Sequence, residues 1–273
     1  MGVDVGGTKT LVAVLNEAGT ITESTKFPTS QNYNDFLRDL AEAVDSFTTK
    51  DFKAGAVAIP ATVLDRHHGI GVSFGNLPWR NVPVQHDVEK ICHCPMALEN
   101  DAKLGCLSEA MLLKDRYEKV LYVTVSTGIG IALVANGVID TSFGDGGGAA
   151  MQLAHNGKLV PWESFASGHA IVERYGKKAM DITDEATWKK IVRDLAPGLI
   201  ELIAVLQPDV IVIGGSVGSY FERYGHLLEI ELQRYHVPLI TLPKLRSAQR
   251  PEEAVVYGCY DYARQVYGHA KTN

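Results

Sequence analysis

The segment DVGGTKT, Asp4 to Thr10, sets a carboxylate ahead of two adjacent glycines, a hydroxyl and an amine. Glycines at such a turn let backbone N–H groups come close to a phosphate, and Thr8 and Lys9 add a hydroxyl and a positive charge. Asp4, on the strand before the turn, is placed to organise a hydrated Mg²⁺. A hairpin without any ligand also favours glycines, so this loop alone carries either reading. STGIG, Ser126 to Gly130, repeats the hydroxyl pair and the glycine turn. Two such loops facing one cleft would hold a triphosphate from both sides. Neither is a Walker-type loop, since GxxxxGK[ST] does not occur. IVIGGSVG, Ile211 to Gly218, runs a buried strand into Gly214 and Gly215. That pair is either a plain strand-to-helix turn or room for a purine or ribose against backbone. ENDA, Glu99 to Ala102, puts Asn100 and Asp101 between a strand and a helix. An Asp there is either a helix cap or a general base that takes a hydroxyl proton as the oxygen attacks phosphorus.

The elements that must position these residues are legible in outline. Gly2 to Val14 reads as strand, tight turn and returning strand, and the residues at 120–126 and 131–139 repeat that layout around TGIG. The echo predicts two related lobes. Phe36, Leu37, Leu40, Ala41, Val44 and Phe47 recur at helical spacing over Tyr33–Phe47, with Ser30, Asn32 or Asn34 as cap. GAVAIP at 55–60 is a short buried strand, 61–84 is irregular, and a helix then leads to a strand at 96–98. Helices are expected at 163–175, 185–206, 217–235 and 252–267, interrupted by one strand at 209–215.

Taken in order, DVGGTKT, NLPW at 76–79, ENDA, STGIG, WESFASG at 162–168 and IVIGG resemble the ROK family of sugar kinases, within the actin, Hsp70 and hexokinase superfamily. The resemblance implies an α/β, two-lobed actin-like ATPase (ribonuclease H-like) fold with the active site in the interlobe cleft. The expected lobes are residues 1–100 with 258–273, and 101–257. It also implies ATP with Mg²⁺ and phosphoryl transfer to a hydroxyl of a hexose or amino sugar. By position, Asp101 matches the catalytic base, and Asn76 and Asn100 fall among the sugar-binding residues. Gly6, Gly7, Thr8 and Lys9 match the first phosphate loop, Thr127, Gly128 and Gly130 the second, and Gly214 and Gly215 the adenosine motif. The family's Gly-Glu-x-Gly-His aligns with Gln152 for the Glu and His155 for the His, and Glu163 matches the acidic sugar ligand before Ala-Ser-Gly. A cysteine-rich zinc loop usually follows that His. Here only seven residues separate His155 from Glu163 and none is Cys, so no zinc is expected, since structural zinc needs about four ligands. Gln152 trades a charge for an amide, which should alter sugar recognition more than phosphoryl transfer. Ala61, Ser126 and Ala132 stand where the family has Gly.

Bulk properties narrow the classes. With 273 residues, two lobes are expected. A net charge of −6, with Lys and Arg scattered, argues against nucleic acid as partner. Cys92, Cys94, Cys106 and Cys259 form no disulfide framework, and Cys92 and Cys94 read as structural. The longest apolar runs, such as 199–206, fall short of about 18 residues, so no membrane span is expected. A cytoplasmic homodimer binding sugar and ATP is the expectation. Two alternatives are a non-catalytic sugar or nucleotide binder and a sugar-sensing regulator. The regulators of the family carry an N-terminal DNA-binding segment, for which a phosphate loop beginning at residue 4 leaves no room.

Overall fold

The computed structural model describes residues 1–250 and 253–268. The chain begins with β1 (Gly2–Val5), β2 (Lys9–Leu15), β3 (Ile21–Pro28), α1 (Tyr33–Asp45) and β4 (Gly55–Ile59). It continues through β5 (Ala61–Asp65), β6 (Ile70–Phe74), β7 (Arg80–Val82), α2 (Val84–Cys92), β8 (Met96–Asn100) and α3 (Asp101–Leu113). Next come β9 (Lys119–Val125), β10 (Ile129–Ala135), β11 (Val138–Ile139), α4 (Gly147–Ala150), β12 (Gln152–His155), β13 (Lys158–Pro161), α5 (Glu163–Ala166) and α6 (Gly168–Tyr175). The last part holds α7 (Glu185–Leu206), β14 (Val210–Gly214), α8 (Gly215–Gly218), α9 (Gly225–Gln233), β15 (Lys244–Ser247) and α10 (Ala254–Tyr267).

The chain divides into two compact units, 1–108 with 252–273, and 109–251. Each is built on a five-stranded sheet, ordered β3-β2-β1-β4-β8 in the first and β11-β10-β9-β14-β15 in the second. In both, an antiparallel meander is extended by two parallel strands: β1 pairs antiparallel with β2 and parallel with β4, as β9 does with β10 and β14. The repeated strand, glycine turn and strand of the sequence therefore mark a repeated topology. These are two α/β units of one repeated topology, as the resemblance to the actin-like fold implies. The division falls within α3 and before α10, not at residues 100 and 257 as expected. The start of α3 belongs with the first unit because the Leu104 carbonyl lies against Gly258 of α10. Val256, at the beginning of α10, packs with Leu11 and Ala13 of β2. Residues 269–273 of the expected C-terminal segment, and Glu252 of the expected helix, lie outside the described residues.

Central strands read as continuous apolar runs because both faces are covered. Val210–Gly214 and Gly55–Ile59 are buried throughout, whereas β3, at the sheet edge, alternates half-buried and exposed residues. α1 buries Phe36, Leu40 and Val44, one stripe at i, i+4 and i+8. Its cap is Asn32, whose side chain accepts from the N–H groups of Asn34 and Asp35. In the second unit the 22-residue α7 starts at Asp184, which accepts from the Thr187 N–H at 2.8 Å, and its core face carries Trp188, Leu195 and Leu199.

Three expectations need correction. The region 61–84 is not irregular: β5, β6 and β7 form a three-stranded antiparallel sheet, with register shifts in β5 that blur the alternation. The expected helix at 163–175 is two helices, since Ser167 is extended and caps α6 through its hydroxyl. The expected helix at 217–235 is likewise broken into α8, a 3₁₀ turn at Phe221–Arg223 and α9, and β15 adds a second late strand beside β14.

One polar contact in the first unit stands out energetically. Glu99 is fully buried at the end of β8, and Arg66, after β5, holds it with a two-pronged pair in which Nε donates to Oε2 at 2.8 Å. Removing one partner of such a pair strands the other charge. Arg66→Ala should lower the unfolding free energy by about 3–5 kcal/mol, read by urea titration, and Arg66→Met combined with Glu99→Leu should recover most of the loss.

Candidate active site

In the first unit, register brings the site residues level. Asp4 on β1 pairs with Ala58 on β4, and Ala58 pairs with Glu99 on β8, so Asp4 and the Asn100–Asp101 step sit at the carboxyl ends of parallel strands. That edge is where ligands of open α/β sheets bind. The Asn100 side chain, not that of Asp101, reaches the third backbone N–H: its Oδ1 accepts from the Lys103 N–H at 3.2 Å while Nδ2 donates to the Ala61 carbonyl at 3.0 Å. One N–H and one lone pair of that amide are left over for a ligand. Asp101, half-buried in the first turn of α3, accepts from the Ala102 N–H through Oδ1 at 2.8 Å. The Arg66–Glu99 pair lies directly beneath, with Glu99 Oε1 accepting the Asn100 N–H at 2.7 Å. Sequence reasoning missed this support, because nothing in the spacing links residue 66 to residue 99.

The first glycine turn is closed by the Gly6 N–H donating to the Lys9 carbonyl at 2.9 Å. A Cβ on Gly7 would lie 2.8 Å from Cβ of Asn76, so the turn and the NLPW segment touch. Thr8 and Lys9 are exposed at its tip. Burial, and next the negative charge of Asp101, push the Asp4 carboxyl up to about 7, with Lys26 pulling the other way. Two carboxylates that raise one another's cost of ionisation are a fitting environment for a cation. Among the described residues, no group of three or more His, Cys, Asp or Glu side chains is arranged to hold a metal ion by direct ligation.

In the second unit the corresponding turn is Ser126–Gly128 between β9 and β10, with the Ser126 N–H donating to the Gly128 carbonyl at 2.9 Å. Two elements brace it. The Gly168 N–H donates to the Ser126 carbonyl at 2.6 Å, and Glu163 Oε2 accepts the Ile129 N–H at 3.2 Å. A Cβ on Gly128 would meet Glu163 Oε2 at 2.7 Å. Glu163 is thus joined to the second glycine turn, leaving its other oxygen for a ligand. Gly130, on β10, is opposite Thr124 of β9, and Gly214 flanks Thr124 on the other side. Gly215 has φ +78° and a Cβ there would lie 2.5 Å from the Val125 carbonyl, so this strand-to-helix turn admits no side chain.

Gln152 and His155 begin and end β12, which pairs with β13 through a two-residue turn at Asn156 and Gly157, both with positive φ. This is the primed hairpin turn that Asn-Gly favours. Three residues apart on a strand, the two side chains point to opposite faces. Gln152 is exposed, its Nε2 3.5 Å from the Ala149 carbonyl, while His155 stacks on Phe165 with ring centroids 4.1 Å apart and planes 12° from parallel. The structure therefore does not bring this pair together on one side of the strand.

A cavity of about 480 Å³ opens within the second unit. Its wall includes Ser126 and Thr127 of the glycine turn, Gly168, and Ser216 and Val217 just after Gly215. Parts of the stretch from His169 to Met180, with Ser219 and Tyr220, complete it, residues that sequence reasoning did not single out. The cavity therefore joins the second glycine turn to the strand-to-helix turn at Gly214–Gly215.

The chain has known relatives. The N-acetylmannosamine kinase of Vibrio cholerae is 26% identical over 88% of this chain and 92% of its own length. The glucokinase of Streptomyces coelicolor is 24% identical over 97% of both. The structure of a ROK family glucokinase from Streptomyces griseus, in complex with glucose and AMPPNP, superposes with a TM-score of 0.81 at 22% identity, covering 97% of this chain and 98% of that one. Residues 1–265 match the ROK family as a whole. With its glycine turns, its Asn-Asp step and its repeated sheet all within that match, this chain belongs to the ROK family.

Proposed function

We propose that this protein is an ATP-dependent sugar kinase that phosphorylates a hydroxyl of a hexose or amino sugar. The observation that carries the reading is the Asp4–Asp101 pair at the strand ends of the first unit, beside its glycine turn. The cavity walled by the second glycine turn supports it. Membership of a family whose relatives here include kinases of both glucose and N-acetylmannosamine supports the substrate class. Assembly as a homodimer in the cytoplasm belongs to the same reading and rests on family membership alone.

In this mechanism Asp101 accepts the proton of the sugar hydroxyl while that oxygen forms a bond to the γ-phosphorus and the bond to the β-phosphate oxygen breaks, releasing ADP. Asn100 holds the start of α3 through Lys103 and Ala61, and so fixes where the base stands. In the first unit the glycine turn with Thr8 and Lys9 is suited to phosphate oxygens, and in the second unit so is the turn that carries Thr127. Gly214 and Gly215 leave space beside the nucleoside. Mg²⁺, when bound, would offset charge on the phosphoryl oxygens, and Asp4 is the residue that would hold it through its water shell. Asn76 and Asn100 in the first unit, and Gln152 and Glu163 in the second, are the residues assigned to the sugar. Because Gln152 and His155 face opposite ways along β12, Gln152 is assigned the outer part of the sugar and His155 the positioning of Phe165 and α5.

Asp101→Ala should lower kcat/KM for sugar phosphorylation by at least about a hundredfold while calorimetry shows the Kd for ATP nearly unchanged. Retained turnover would reject Asp101 as the base. Across a panel of hexoses and N-acetylhexosamines, Gln152→Glu should change the ranking of kcat/KM values. An identical ranking would remove Gln152 from recognition. Since Asp4 ionises with difficulty in the folded chain, its charge costs stability progressively as pH rises from its ordinary 3.8 to about 7, and the cost is constant above that. The melting temperature of Asp4→Asn should therefore exceed that of the wild type by a margin that grows over this window. Millimolar Mg²⁺ should narrow the margin by stabilising the wild type; no effect of Mg²⁺ on either protein would count against a cation at Asp4.

A further inference from the structure

We propose that Tyr220, braced by Arg223, is the stacking platform for the base of the donor nucleotide, and that the site reads the shape of that base and not its hydrogen-bonding edge. The proposal rests on the kinase reading only in placing a nucleotide in the 480 Å³ cavity. Tyr220 lines that cavity, and the Arg223 guanidinium lies 4.6 Å from its ring centroid. The same guanidinium donates through Nη1 to the Met180 and Ile182 carbonyls, each at 2.9 Å. One side chain therefore fixes the ring and the facing segment that carries Met180, another wall residue, which is exposed. With Arg223 over one face, the ring keeps a second face for a base. Arg is suited to this double task because its planar cation stacks and donates at once.

The polar wall groups point to loose selection among bases. No Asp, Glu, Asn, Gln or Arg stands among the described residues that line the cavity, which leaves Lys178, His169 and short hydroxyls as the side chains that could reach a base edge. The His169 ring faces Glu173 at 3.3 Å and the Ser219 hydroxyl donates to the Gly215 carbonyl at 3.2 Å, so both have partners on their own helices. Lys178 is a donor better suited to ribose or phosphate. Stacking tolerates any base, since each has a π-face, whereas a site that bonds to a polar edge rejects the wrong partner by about 10⁴-fold.

The test is calorimetric binding of ATP, GTP and inorganic tripolyphosphate to the whole chain, with thermal melts confirming that each variant is folded. The wild type should bind ATP and GTP with Kd values within about tenfold of each other. Tyr220→Ala should weaken both by about tenfold or more and leave tripolyphosphate unchanged, Tyr220→Phe should restore both nucleotides, and Arg223→Ala should weaken both without affecting tripolyphosphate. A larger preference for ATP over GTP overturns base-blind recognition. Unaltered ATP binding in Tyr220→Ala, or equal weakening of tripolyphosphate, overturns the platform. Sugar-dependent ADP release by the wild type is scored separately: its absence alongside Tyr220-dependent binding would remove the kinase reading and leave this inference standing.

Discussion

Withdrawing carboxylates from water is the constraint around which the first unit is organised. Three acidic groups stand at the ends of parallel strands: Asp4 near the end of β1, Glu99 near the end of β8, and Asp101 at the start of α3. Each is handled differently. Glu99, with no exposure, is neutralised by Arg66 and also receives the Asn100 N–H. Asp101 is held at a helix start, where backbone N–H groups and the helix dipole favour negative charge. Asp4 has only Lys26 in its favour, and burial with the charge of Asp101 pushes its carboxyl up to about 7. The fold thus supports two charges structurally and leaves the third with the least support.

The second unit solves a different problem with little charge. Its glycine turn is held by backbone and carboxylate contacts from the α5–α6 junction, through Glu163 and Gly168. These contacts explain the compactness of WESFASG: Trp162 is buried in the core, Glu163 braces the turn, Ser167 caps α6 and Gly168 reaches the Ser126 carbonyl. A short segment therefore transmits the position of the core to the rim of the cavity. Changes in the packing of Trp162 would be felt at the second glycine turn.

Much of this was legible in the sequence, for reasons that can be named. The glycine hairpins were readable because apolar strands flank them and the same layout recurs, and the repeat of sheet order bears that out. The Asn-Asp step was readable as a strand-to-helix junction, though the division of labour within it was not: the far-reaching cap belongs to Asn100, because its side chain can bridge to both Lys103 and Ala61. The small sheet β5-β6-β7 was hidden by glycine, histidine and register shifts that break period-two alternation. The cavity wall from His169 to Tyr220 escaped notice because its members are far apart in sequence and ordinary in type. Arg66, Arg223 and Phe165 act through contacts that only folding creates.

The matching strand orders have an implication for descent. By register, the position of Asp4 in one sheet, opposite Leu11 and beside Ala58, corresponds to that of Thr124 in the other, opposite Gly130 and beside Gly214. If the halves arose by copying one ancestral module, the copies have parted at this residue, one keeping an acid and the other a neutral hydroxyl. Symmetry of backbone has outlived symmetry of charge.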